Sequence, residues 1–144
     1  MQFSHLQRKI DRRDISSQYL QKKFSLKIYL PPEQKKITAY PTLYLQDGDD
    51  YFTLGRVATI ANALIIKGEI MPLIIVGIPM EKRVRTSHYA PSGEHSQNYR
   101  RFVHHELVPL IDANYPTLPF AKNRAIGGSS LGGTQALSIA LQYP

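Results

Sequence analysis

A serine flanked by glycines near the end of the chain offers the clearest chemistry. Gly128, Ser130 and Gly132 form the pattern Gly-x-Ser-x-Gly, between a short apolar segment and a helix-forming segment. In such a strand-to-helix turn the serine has a strained backbone and its hydroxyl projects beyond the end of the sheet. The N–H groups that begin the following helix favour a developing negative charge. The pattern therefore predicts Ser130 as a nucleophile.

The alternative interpretation of this segment is a glycine-rich turn or a phosphate-binding loop. The Gly-Lys-Ser/Thr ending of a Walker loop is absent, and so is the pattern Gly-x-Gly-x-x-Gly. A strand-like segment precedes the serine and a helix-like segment follows it, which favours the nucleophile over a simple turn.

Bulk composition permits one folded domain and excludes several kinds of site. The 144 residues are 42% hydrophobic, and none is cysteine. A disulfide framework, a thiolate nucleophile and a cysteine metal site are therefore excluded. No apolar run approaches membrane-spanning length, and residues 1–14 are polar and charged. We expect no metal, no organic cofactor, no membrane contact and a cytoplasmic location.

The net charge of +7 raises the question of a nucleic-acid partner. Residues 1–36 hold nine Lys and Arg against three acids, a net of +6, whereas residues 37–144 hold nine against eight, a net of +1. The basic residues occur in pairs among apolar residues, so a solvated strand face explains them as well as a phosphate-binding stripe does. We expect no nucleic-acid partner.

Apolar periodicity predicts an alternation of strands and helices. A turn is predicted at residues 47–50, a charged irregular loop at 79–96, and a kink or early helix end at Pro109. The order indicates an α/β fold, with a mostly parallel sheet, antiparallel first strands and helices on both faces. The predicted strands are one within 5–20 and those at 24–30, 42–46, 73–78 and 124–127, and the predicted helices are 54–66, 97–113 and 130–142.

Several segments, in this order, resemble the putative-esterase branch of the α/β-hydrolases, which includes esterase D-like and enterochelin esterase-like proteins. The resemblance implies that residues 1–144 form an incomplete α/β-hydrolase domain, running from the N-terminal strands through the helix after the nucleophile. It also implies a serine carboxylic-ester hydrolase that acts through an acyl-enzyme on a siderophore-type or other small-molecule ester. The segments are KIYLP (27–31), LYLQDG (43–48), RTSHYAP (85–91), ELVPLID (106–112), RAIGGSSLGGTQAL (124–137) and YP (143–144).

The resemblance assigns roles to residues around Ser130. The hydroxyl of Ser130 would attack the ester carbonyl, and the backbone N–H of Leu131 would donate to the oxyanion. The second oxyanion donor would be the N–H of Asp49, with Gly48 as the neighbouring alternative.

The segment 85–91 would approach the pocket, so the resemblance places Arg85 and Tyr89 at its border. An ion-pair role in the structure is an equal alternative for Arg85.

The sequence departs from the family pattern at the catalytic base. In α/β-hydrolases an acid and a histidine follow the nucleophile in the chain, yet no Asp, Glu or His follows Asp112. We expect packing or surface roles for the upstream candidates His88, His95 and the pair His104 and His105.

We therefore expect the N-terminal part of a longer esterase, inactive by itself, with the strand before Ser130 near an exposed sheet edge. The alternative is a non-catalytic, truncated hydrolase-like domain that binds a ligand or partner. The sequence does not distinguish hydrolysis from transfer of the acyl group to another alcohol, and it does not indicate an oligomeric state.

Overall fold

The chain begins its sheet with an antiparallel hairpin, as its alternating sequence predicted. In the computed structural model, which describes residues 8–144, strand β1 (Lys9–Ser17) pairs with strand β2 (Lys22–Leu30). Along β2, Phe24, Leu26 and Ile28 are buried. These side chains point to one face because successive strand residues alternate between faces. The prediction of antiparallel first strands is confirmed.

Three short strands extend the hairpin into a five-stranded sheet. They are β3 (Thr42–Leu45), β4 (Ile74–Gly77) and β5 (Arg124–Gly127), and the strand order is β1-β2-β4-β3-β5. Strand β4 is antiparallel to β2, whereas β3 is parallel to both β4 and β5. All four residues of β4 are buried, as a continuous apolar run predicts for a strand covered on both faces.

Helices cover both faces of this sheet, as predicted. On one face, helix α2 (Val57–Ile66) packs against a core that includes Leu45. On the other face, helix α6 (Leu131–Gln142) and the helical segment 96–114 pack against a core that includes Tyr44. Tyr44 and Leu45 are neighbours on β3 and enter opposite cores because the side-chain period of a strand is two. The architecture is that of the N-terminal part of an α/β-hydrolase.

The helix predicted at residues 97–113 forms in three consecutive parts. Helix α4 (Ser96–Arg101), a π-helical turn (Phe102–Leu107) and helix α5 (Val108–Asn114) follow one another without a break. Pro109 lies in the first turn of α5, where its missing N–H and fixed φ are tolerated. The chain accommodates Pro109 through the wider π-helical turn before it, and the helix does not end there.

Residues 79–96 are more regular than the irregular loop that the sequence predicted. A 3₁₀ turn (Lys82–Val84) leads into helix α3 (Arg85–Tyr89), and both are followed by a bend before α4. These helical turns are too short to produce an apolar repeat, so periodicity missed them. The loop prediction is wrong here, and α3 carries two of the candidate site residues.

The turn predicted at residues 47–50 is the beginning of a helix. Asp47 adopts a left-handed conformation (φ 50°, ψ 46°), and helix α1 (Gly48–Phe52) follows it directly. Arg56 is also left-handed (φ 51°), and α2 begins at the next residue rather than at residue 54. Each left-handed residue redirects the chain, so the segment after β3 folds back over the sheet.

Strand β5 lies at one edge of the sheet, where the sequence placed the strand before Ser130. Its residues are half-buried to exposed, and Leu137 and Leu141 on the neighbouring helix α6 are exposed. This edge of the sheet is therefore only partly covered. Among the helices between residues 8 and 144, none combines the length and apolar character needed to cross a lipid bilayer.

Candidate active site

Ser130 lies between β5 and α6 in a backbone conformation that few residues adopt. Its φ of 54° and ψ of −128° fall outside the favoured regions for residues with a side chain. The residue is exposed, and α6 begins at Leu131. Strain of this kind costs about 1–3 kcal/mol and is concentrated at functional sites. The strand-turn-helix arrangement predicted for this segment is present.

The two glycines that flank Ser130 lie where a side chain has no room. A Cβ atom on Gly128 would be 2.7 Å from the carbonyl carbon of Gly132 and 3.0 Å from the Cβ of Gln46. A Cβ atom on Gly132 would be 2.9 Å from Oδ2 of Asp47. The glycines therefore let the turn close tightly and bring the first turn of α6 against the end of β3.

A cleft of about 490 Å³ extends to Ser129, the residue before Ser130. Tyr51 and Met80 contribute apolar surface to its wall, and most of the other lining residues are charged, with both signs present. The complete lining comprises Asp47, Asp49, Asp50, Tyr51, Gly55, Met80, Lys82, Arg85 and Ser129.

Arg85 connects the turn after β3 with the turn before Ser130. Its Nε and Nη2 donate to the carboxylate of Asp47 at 3.0 and 2.9 Å, and Nη2 also donates to the carbonyl of Ser129 at 3.2 Å. The side chains of Arg85 and Asp47 are 25% and 11% exposed. Hydrogen bonds to Asp47 raise the pKa of Arg85. Arg85 thus lines the cleft and also forms the ion pair that the sequence held as its alternative role.

Tyr89 lies beneath Asp47 and does not line the cleft. It is fully buried, and its Oη accepts a hydrogen bond from the backbone N–H of Asp47 at 3.0 Å. Burial raises the pKa of the Tyr89 phenol. Next to it, the hydroxyl of Tyr99 donates to Oε1 of Gln46. Tyr89 therefore supports the turn from inside, which corrects its predicted place at the pocket border. No role for the side chains of Tyr99 and Gln46 was predicted from the sequence.

The backbone N–H groups at the start of α1 and α6 differ in whether a carbonyl group of the fold already accepts their hydrogen bond. The N–H of Gly48 donates to the carbonyl of Ile78 at 2.8 Å, so it is occupied by the fold itself. Asp49 and Leu131 lie in the first turns of α1 and α6, where an N–H has no acceptor within its own helix. Asp49 is therefore the better of the two candidates for the second oxyanion donor.

The histidines of the described chain contact groups other than Ser130. His88 is buried, its Nδ1 lies 2.9 Å from the carbonyl of Val84, and burial lowers its pKa. His104 stacks on Tyr143 with ring centroids 3.9 Å apart. Within residues 8–144, no three His, Asp or Glu side chains converge to hold a metal ion. The remaining two, His95 and His105, are exposed.

With this geometry established, the comparison with known proteins identifies the family. The model of the family described as "Putative esterase" matches residues 17–144. The chain belongs to this esterase family.

Individual members and solved structures agree with this assignment. The esterase-family chain is 38% identical over 136 residues to "Uncharacterized protein YjcH" of Bacillus subtilis (strain 168), covering 94% of this chain and 57% of that protein. It superposes on a ferulic acid esterase with a TM-score of 0.79 at 26% identity, covering 96% of this chain and 54% of the other. The chain thus spans about half the length of these two proteins.

The same fold occurs in the enterobactin esterase FES of Shigella flexneri, solved in the presence of enterobactin. The TM-score is 0.83 at 20% identity, and the match covers 94% of this chain and 34% of that protein. These matches show that the chain has the α/β-hydrolase fold of esterases.

Proposed function

We propose that the protein is a serine carboxylic-ester hydrolase that acts through an acyl-enzyme, with Ser130 as its nucleophile. The observation that carries this proposal is the strained and exposed position of Ser130 at the start of α6. A hydroxyl held there lies where the N–H groups of a helix N-terminus stabilise an anion. Membership of the esterase family supports an ester as the substrate.

In the proposed reaction, Oγ of Ser130 attacks the carbonyl carbon of the ester while a base takes its proton. The carbonyl oxygen becomes an oxyanion that accepts hydrogen bonds from the N–H groups of Leu131 and Asp49. The C–O bond to the alcohol then breaks, the alcohol takes the proton, and the acyl group remains on Ser130. Water attacks this acyl-enzyme in the same way and releases the carboxylic acid. One fixed oxyanion donor contributes about 3 kcal/mol to such a barrier.

The base and its acid partner are proposed to lie in sequence that the longer relatives have beyond the matched part. Two observations support this. Within residues 8–144, Ser130 forms no hydrogen bond with a histidine, and the chain covers 57% and 54% of two similar proteins. A serine without a positioned base is a weak nucleophile. We therefore predict that residues 1–144 alone do not turn over an ester.

A siderophore-type ester is the first proposed substrate, and a feruloyl ester is the second. The basic residues of segment 1–36 are compatible with an anionic ligand, and the similar ferulic acid esterase supports an aromatic acyl group. Transfer of the acyl group to an alcohol other than water would use the same acyl-enzyme. The cytoplasmic location stays a prediction of the sequence.

The nucleophile is tested in the full-length protein, by which we mean the longer chain proposed to carry the base in addition to residues 1–144. The protein is labelled covalently with a fluorophosphonate, and the modified peptide is identified by mass spectrometry. We expect one adduct on Ser130, none in Ser130→Ala, and an unchanged adduct in Ser129→Ala, which is the control because Ser129 is also exposed. Hydrolysis of a p-nitrophenyl ester should fall by at least about 10³-fold in Ser130→Ala alone. Full activity in Ser130→Ala would reject the proposal.

A non-catalytic ligand-binding domain is the second candidate function. The lack of a histidine contact to Ser130 in the described residues favours it. It predicts that the full-length protein is not labelled by a fluorophosphonate and that Ser130→Ala binds the same esters with unchanged affinity. Isothermal titration with a feruloyl ester, beside the labelling experiment, separates the two candidates.

A further inference from the structure

The amide proposed as the second oxyanion donor is surrounded by carboxylates. Asp47 directly precedes α1, Asp49 and Asp50 lie in its first turn, and all three line the cleft. A carboxylate close to a developing oxyanion raises the barrier through repulsion between like charges. A donor at this position therefore works best when the neighbouring carboxylates are neutralised.

Two of the three carboxylates have cationic partners from other elements. Asp47 pairs with Arg85, as described above. Nζ of Lys27 on β2 lies 3.0 Å from Oδ1 of Asp49. The Lys27 side chain is only 16% exposed, whereas Asp49 is 58% exposed. The lysine thus approaches the carboxylate from the protein side and leaves the cleft side open.

The position of Lys27 follows from the contact between α1 and the sheet. Lys27 is opposite Gly77 in the pairing of β2 with β4. A Cβ atom on Gly48 would lie 2.4 Å from the backbone of Gly77, so α1 rests directly on β4 at this point. Because Lys27 is the neighbour of Gly77 on the next strand, its side chain reaches the first turn of α1.

We infer that Lys27 is a positioning residue for ester hydrolysis, which acts by neutralising Asp49 beside the oxyanion donor. The inference rests on the proposed function and deepens it. It concerns the transition state, since the negative charge on the substrate oxygen develops only there. Loss of Lys27 should therefore lower kcat and leave KM nearly unchanged.

The test compares Lys27→Met and Lys27→Arg in the full-length protein, with a p-nitrophenyl ester as substrate. We expect kcat to fall about five-fold in Lys27→Met, because the loss exposes the oxyanion to one water-screened repulsion from Asp49. KM should stay within about two-fold of the wild-type value. Lys27→Arg should retain most of the activity because it keeps the charge. Lys23→Met is the control, because Lys23 lies on the same strand as Lys27, while its ion pair with Asp14 of β1 (3.5 Å) involves neither α1 nor the residues of the cleft.

The background of Asp49→Asn separates charge neutralisation from general stability. Measured against Asp49→Asn itself, whatever its own kcat, the additional change Lys27→Met should alter kcat by less than about two-fold, because the carboxylate that Lys27 neutralises is no longer there. If Lys27→Met does not fold, Lys27→Gln, which is uncharged but polar, takes its place in both backgrounds. An equal loss of kcat in both backgrounds, or an effect confined to KM, would overturn the inference.

Ser130→Ala is measured in parallel, so the two ideas fail separately. Loss of turnover in Ser130→Ala with wild-type kcat in Lys27→Met would reject the role of Lys27 and leave the proposed function intact. Full turnover in Ser130→Ala would reject the proposed function itself.

Discussion

Arg85 holds Asp47 by two parallel hydrogen bonds, from Nε at 3.0 Å and from Nη2 at 2.9 Å, although 38 positions separate the two residues in the chain. The same guanidinium donates to the carbonyl of Ser129 at 3.2 Å. One side chain thus joins the turn that precedes Asp49 to the turn that precedes Ser130. These two turns lead into the helices whose first N–H groups are the proposed oxyanion donors.

Replacement of Arg85 should reduce both stability and activity. Arg85→Ala leaves the half-buried carboxylate of Asp47 without a partner, so we expect the free energy of unfolding to fall by about 2 kcal/mol. This loss is smaller than that for breaking a fully buried ion pair, because the Asp47 carboxylate stays partly solvated. Arg85→Lys keeps the charge but not the bidentate hydrogen bonding, so it should be more stable than Arg85→Ala and less stable than the wild type. Urea denaturation measures the first effect, and ester turnover measures the second.

Arg83→Ala is the control for Arg85. Its pair with Glu81 has a distance of 3.0 Å, but the Arg83 side chain is 80% exposed. Such exposed pairs contribute at most about 1 kcal/mol. Equal losses of stability in the two alanine variants would contradict the role given to Arg85.

Gly128→Ala should destabilise the protein much more than Gly127→Ala. A Cβ atom at residue 128 would meet the backbone of Gly132 at 2.7 Å, whereas one at residue 127 would meet only Cδ2 of Leu45 at 3.5 Å, an ordinary contact. Backbone atoms move less readily than side chains, so we expect a loss of about 3 kcal/mol for Gly128→Ala and less than about 1 kcal/mol for Gly127→Ala. Thermal and urea unfolding of both variants test the difference. Similar values would show that the turn relaxes at little cost.

Tyr99→Phe and Tyr44→Phe form a matched pair of hydroxyl deletions in the core. The hydroxyl of Tyr99 donates to Oε1 of Gln46, the residue before Asp47. The hydroxyl of Tyr44 is buried without a hydrogen-bond partner among the described residues. We expect Tyr99→Phe to cost about 1–3 kcal/mol and Tyr44→Phe to be neutral or stabilising, because a buried hydroxyl without a partner is unfavourable. Greater damage from Tyr44→Phe would contradict this arrangement.

The buried ring of His88 should make the protein less stable below about pH 6.5. Burial lowers the pKa of His88 from 6.5, so just below pH 6.5 the unfolded chain is protonated at His88 while the folded chain is not. The free energy of unfolding then falls as the pH drops below the unfolded value, by at most about 1.4 kcal/mol per pH unit. Above pH 6.5 both states are neutral and this contribution is constant.

Urea denaturation between pH 5 and pH 8 measures this dependence, and His88→Asn provides the comparison. The variant has no group that titrates at this position, so the part of the slope due to His88 should disappear. An identical slope in wild type and variant would assign the acid sensitivity to other groups.

Local sequence was informative wherever a structure is decided within a few residues. The hairpin of β1 and β2, the buried strand β4 and the strand-turn-helix around Ser130 all lie where periodicity and glycine spacing predicted them. The short helical turns of residues 79–96 and the π-helical turn before Pro109 were not predictable. They are stabilised by packing against the sheet and α6, and neither leaves a repeat in the sequence.

Some features of the candidate site were likewise predictable from the sequence, and others depend on tertiary contacts. The sequence alone determined the family, the fold class and the candidacy of Ser130, because each depends on residues adjacent in the chain. Only the tertiary structure decided that Arg85 binds Asp47 and that Tyr89 is buried beneath it. It also decided that the N–H of Gly48 is occupied by Ile78. These contacts join segments more than 25 residues apart, and their geometry exists only once the strands and helices have packed.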